Sequence, residues 1–126
     1  MSEPIVYIDH SDLREGRLAD VKAGVRELVA FIESREPQLI AYGFYIDEEG
    51  MRMTLIAIHP DSSSLELHMK IGADAFRKFI ELVDLRTIEV YCRPSHRVLE
   101  QLQKKVEMLS TTGRVVVHER FAGFAR

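Results

Sequence analysis

Two β-rich runs separated by four residues constrain this chain most. Leu39 to Ile46 (LIAYGFYI) and Met51 to Ile58 (MRMTLIAI) are joined by Asp47-Glu48-Glu49-Gly50. A short polar linker ending in glycine between two runs of β-formers predicts a hairpin. With Ile46 opposite Met51, one face carries Tyr42, Phe44, Met53 and Leu55, and the other Ala41, Gly43, Tyr45, Arg52, Thr54 and Ile56. Both faces hold apolar side chains, whereas a sheet with one wet face alternates cleanly between apolar and polar. Each face therefore needs a cover. Helices of the same chain serve for one; for the other, a second copy of the sheet is the economical cover, and more of the same chain is its competitor. The first option predicts a homodimer through the sheet.

The flanking patterns supply those helices. Ile5-Val6-Tyr7-Ile8 predicts a strand. Leu18, Val21, Val25, Leu28 and Ile32 then form one apolar stripe at helical spacing, with Asp12 and Glu15 at capping-box spacing before it and Pro37 ending it. Leu65, Leu67, Met69 and Ile71 alternate as a strand would, but Pro60 and the Asp61–Ser64 run favour a helix start. A helical stripe continues through Ala75, Phe76, Phe79, Ile80 and Val83, and Thr87–Tyr91 predicts a strand. Ser95 caps a further helix with Leu99, Leu102, Val106 and Leu109 on one face, ended by Gly113, and Val115–Val117 is a last strand. The order β-α-β-β-α-β is the ferredoxin-like split β-α-β of an α+β fold, here followed by a helix and a strand.

At 126 residues the chain makes one domain, with the ferredoxin-like core at 5–91 and an extension at 92–126. No stretch reaches the roughly 18 apolar residues of a membrane span, and the N-terminus lacks the basic flank of a secretory signal. With Cys92 as the single cysteine, no internal disulfide is available, and a cytoplasmic protein is expected. Net charge is −3, divided as −6 over residues 1–63 and +3 over 64–126. Such an asymmetry suits self-association or the approach of an anion, but it draws no basic stripe, so nucleic-acid binding is not expected.

The Arg35-Glu36-Pro37 helix exit, Tyr42, the acidic hairpin after Ile46, the His68 segment and the Phe76–Phe79 helix together resemble the dimeric α+β barrel superfamily. The likeness is nearest to its antibiotic-biosynthesis-monooxygenase-like group, which includes quinol monooxygenases, and it spans about two-thirds of the chain. It implies a dimer whose two sheets pack face to face. It also implies a cofactor-independent monooxygenase acting on an aromatic, quinol-like small molecule. By the same resemblance His68 stands where the group commonly has a histidine. The preceding strand departs from the group: Ala57 and His59 stand where a glutamate and then an aromatic are common, and the chain has no tryptophan. That departure speaks against a haem-degrading role.

His68 is the expected catalytic residue, a base or donor facing a pocket; otherwise it is a buried histidine bonded to a neighbouring carboxylate or carbonyl. His59, Tyr42, Tyr45 and Arg52 are the expected substrate-binding residues, with core packing or a wet hairpin rim as their alternatives. His59 and His68 do not make a metal pair: their spacing matches no common ligand pattern, Asp61 is needed as a cap, and Glu66 points off the His68 face. Arg93 beside Cys92 invites a lowered thiol pKa, yet no histidine partner is spaced to make it a nucleophile. Two functions follow: an enzyme without metal or flavin, in which the protein deprotonates and encloses its substrate, or a non-catalytic dimeric ligand-binding or interaction module.

Overall fold

The computed structural model describes residues 3–126. Its first strand, β1 (Ile5–Leu13), is longer than the apolar run Ile5–Ile8 predicts and occupies the centre of the sheet, between β3 and β4. The polar residues 9–12 continue the alternation rather than opening a helix. Asp9 and Ser11 turn inward and are buried, while His10 is exposed on the outer face. Asp12 is not a cap; it pairs with Arg86 and Arg52 across the neighbouring strands. The chain turns through Gly16, at φ +77°, into α1 (Leu18–Arg35), whose N-cap Arg17 makes no side-chain cap bond. Val21, Leu28 and Ile32 of the expected stripe are buried, and the helix stops at Glu36, before Pro37.

The hairpin forms between β2 (Ala41–Asp47) and β3 (Arg52–His59). Its register differs from the expected one by two residues, since Ile46 faces Met53 and Asp47 faces Arg52. The cause lies in the turn: Asp47 accepts a hydrogen bond from the Gly50 amide, and Met51, at φ +50°, belongs to the turn and not to the strand. A two-residue shift leaves every side chain on its own face, so Tyr42, Phe44, Met53 and Leu55 remain together.

Helix α2 (Ser62–Arg77) is capped by Asp61, whose carboxylate accepts from the Ser64 amide. The helical stripe expected to run on to Val83 stops at Arg77; Val83 instead opens β4 (Val83–Tyr91), pairing with Leu13 of β1. A bulge in β4 at Arg86 reverses the alternation, so that Val83 and Leu85 are buried before it and Ile88 and Val90 after it. Helix α3 (His96–Leu109) begins at the Ser95 cap as expected and leads to β5 (Arg114–His118), which runs parallel to β4.

Strand order is β2-β3-β1-β4-β5, and the first four strands are the antiparallel sheet of the split β-α-β. The helices cover the face that carries Tyr7, Leu55, Leu85 and Ile88, and Leu65 and Leu102 are fully buried against it. On the opposite face Val6, Ile8, Ile56 and Ile58 are only half-buried, and Tyr45 is 60% exposed. Among the described residues no helix is long and apolar enough to cross a membrane.

Candidate functional site

The covered face of β1 carries polar atoms that a core does not ordinarily tolerate. The Tyr7 hydroxyl donates to the Asp9 carboxylate at 2.6 Å. From α3, the Lys105 ammonium reaches the Tyr7 oxygen at 2.9 Å and the Asp9 carboxylate at 3.3 Å. It also lies 4.3 Å from the centre of the Phe76 ring. Lys105 and Asp9 are both nearly inaccessible to solvent. A buried ion pair of this kind persists only because each charge is met by the other and by hydrogen bonds. Neither Asp9 nor Lys105 is singled out by the sequence, although Lys105 stands on the apolar stripe of α3, three residues after Leu102.

These groups border a cavity between sheet and helices, walled by Phe44, Leu55, Phe76, Phe79 and Leu85 with Asp9, Ser11, Tyr42 and Lys105 as its polar members. Its free space is about 30 Å³. That is room for about two or three waters, at roughly 10–15 Å³ each. The Tyr42 hydroxyl is buried and has no hydrogen-bond partner among the described residues. Burial, then the charges of Asp9 and Glu36, push its pKa well above the usual phenol range. Tyr7 is pushed well up by burial and by the charge and hydrogen bond of Asp9. Both phenols therefore stay protonated, as donors.

His68 is buried beside this cavity but does not line it. Its Nδ1 lies 2.8 Å from Oε2 and 3.0 Å from Oε1 of Glu36, which caps the end of α1 and is itself buried. The carboxylate accepts, so Nδ1 carries the proton. The His68 ring stands edge-on to Tyr42, with centroids 5.2 Å apart. His59 is fully buried; its Nδ1 meets the Ser64 hydroxyl at 2.8 Å, and its Nε2 has no partner among the described residues. Burial, with the charge of His68 adding and that of Asp61 opposing, lowers the His59 pKa to about 3.

Of the residues expected to share one pocket, Tyr42, His59 and His68 do come together, on the covered side. Tyr45 and Arg52 do not. They lie on the outer face, exposed, with Arg52 3.7 Å from Asp12. Strand alternation, visible in the hairpin, already placed them opposite Tyr42. Cys92 is no thiolate either: Arg93 turns to Glu119, and burial together with a hydrogen bond to Glu3 pushes the thiol pKa up. Among the described residues no group of three or more His, Cys, Asp or Glu side chains is gathered as metal ligands would be.

No protein-family pattern and no curated protein matches the chain. Solved structures do. MupZ from Pseudomonas fluorescens superposes with a TM-score of 0.75 at 18% identity, over 99% of this chain and 96% of its own. A candidate antibiotic biosynthesis monooxygenase from Bacteroides thetaiotaomicron gives a TM-score of 0.58 at 15% identity, over 66% of this chain and 85% of its own. The chain therefore shares the α+β fold of these solved structures. A protein of unknown function with a suggested oxidoreductase role, also from Bacteroides thetaiotaomicron, matches at a TM-score of 0.62 and 17% identity, over 71% of this chain and 97% of its own. The MupZ likeness takes in α3 and β5 as well, and α3 is the element that supplies Lys105. At such identities the likeness carries the fold, and any activity has to be read from the site.

Proposed function

We propose that this protein is a small-molecule enzyme, a cofactor-independent monooxygenase acting on a hydroxylated aromatic of quinol type in the cavity between sheet and helices. The observation that carries this reading is the Tyr42 hydroxyl, unpartnered among the described residues, which shares a largely apolar cavity with a buried cation and carboxylate. Asp9 takes the substrate's hydroxyl proton, Lys105 holds the resulting oxyanion, and Tyr42 donates a hydrogen bond to it. The Glu36–His68 pair orients the Tyr42 ring. The electron-rich anion then supplies the electrons to dioxygen. A quinol and one O₂ give a hydroxyquinone and one water, so no further reductant is needed. The apolar walls exclude bulk water from this step. A ring-sized substrate displaces Phe76 or Phe79 as it enters.

The monooxygenase fold neighbour supports the reaction class. Self-association through the outer face belongs to the same reading, because Val6, Ile8, Ile56 and Ile58 there stay half-buried among the described residues. A solution mass near 14.5 kDa at micromolar concentration would refute it. One observation favours a non-catalytic module instead: the cavity is nearly filled by its own phenylalanines.

Oxygen uptake with a panel of quinols separates the two. Wild-type protein consumes oxygen with at least one quinol, and Tyr42→Phe slows that rate by about a hundredfold. The variant loses only an unpaired hydroxyl, so it is at least as stable as the wild type. Equal rates for the two proteins remove Tyr42 from the chemistry, and no uptake with any quinol leaves the module.

A further inference from the structure

We propose that the groove between α2 and α3 is the mouth of the cavity, and that it holds the carboxylate of an amphipathic organic acid whose apolar body points inward. This names the charge of the ligand, and rests on the cavity being a small-molecule site. The groove encloses about 290 Å³. Its floor is apolar, with Met69 and Phe76 from α2 and Met108 from α3. Its rim carries the exposed cations Lys70, Arg77 and Lys104, and no acidic side chain lines it among the described residues. Lys70 has only a 4.0 Å contact with Glu66, and Arg77 and Lys104 have no ion pair among the described residues.

Phe76 and Lys105 are the two side chains that border both the groove and the inner cavity. They are also in contact with each other, the ammonium over the ring. They form the partition between the two spaces, and a turn of the Phe76 side chain joins them. An apolar floor under three cations with little or no pairing selects a molecule with one anionic end and one apolar end. A neutral apolar molecule leaves the cations unused, and a small inorganic anion leaves the floor wet. Three cations on a short groove are also too few to track a nucleic-acid backbone.

The chain's own methionines report the site. Met69 and Met108 lie in the groove, Met53 lies in the inner cavity, and Met51 sits in the β2–β3 turn. With ¹³C-methyl methionine, titration with octanoate moves the Met69 and Met108 signals, while 1-octanol does so about tenfold more weakly and acetate not at all. The variant carrying Lys70→Gln, Arg77→Gln and Lys104→Gln changes only exposed side chains, and it binds octanoate about tenfold more weakly, close to octanol. Equal response to octanoate and octanol overturns the proposal, as does an unchanged affinity in the variant or the absence of any shift at Met69 and Met108. A concurrent shift of Met53 supports passage into the cavity. Movement of Met69 and Met108 with Met53 still overturns the groove as the mouth of the cavity and leaves it a surface anion site.

Discussion

Acidification strains this fold at His59, and the cost follows from its burial. His59 is fully buried and its pKa is lowered to about 3, against an ordinary value of 6.5. Between those values the unfolded chain is protonated at this residue and the folded chain is not, so protons favour unfolding. His59 therefore adds almost no penalty well above pH 6.5, and stability falls as pH drops through 6.5 toward 3. From about pH 7.5 to about pH 5 the loss is about 2 kcal/mol. Because pH 5 lies well above the folded value, the unfolded chain's titration sets that magnitude. Replacing His59 by asparagine removes the titrating group while leaving a polar side chain beside Ser64. Urea unfolding of both proteins across that pH range isolates the effect, since the neighbours His68 and Asp61 are present in each. Wild type should lose about 2 kcal/mol more than His59→Asn. Parallel stability profiles would mean that His59 accepts a proton inside the fold, and the burial reasoning would be wrong.

Two further perturbations test the polar interior and the helix start. Lys105→Met leaves the Asp9 carboxylate buried with only Tyr7 for company and should lower unfolding free energy by about 3–5 kcal/mol, with much of it regained when Asp9→Asn is added. Denaturant curves showing a loss below about 1 kcal/mol for the single variant would mean Asp9 carries no charge there. Asp61→Ala removes the cap bond to the Ser64 amide and should cost about 1 kcal/mol by thermal unfolding, with the hairpin unaffected.

Much of the candidate site was hidden because its contacts join distant parts of the chain. Lys105 and Asp9 are 96 residues apart, and His68 and Glu36 are 32 apart. A lysine on an apolar helix stripe and an aspartate at the inward position of a strand look like interruptions until each is seen to satisfy the other. His68 was visible as a candidate, and so was its alternative role of pairing with a carboxylate, which is the contact it makes. Glu36 appeared only as part of a helix exit, since nothing local marks it as buried.

The sequence by itself determined the order of elements, the hairpin, the division of its side chains between two faces, and the Ser95 cap. These depend on periods of two and 3.6 residues and on bonds spanning three or four positions, all local. Tertiary structure alone decided that β1 runs on through Asp9, Ser11 and Asp12, that Val83 leaves the helical stripe for a strand, and that the bulge at Arg86 reverses the alternation. In each case a ladder bond or charge partner from a distant segment outweighs local preference. The same physics put Asp9, Tyr42 and Lys105 around one cavity and sent Tyr45 and Arg52 to the opposite side of the sheet.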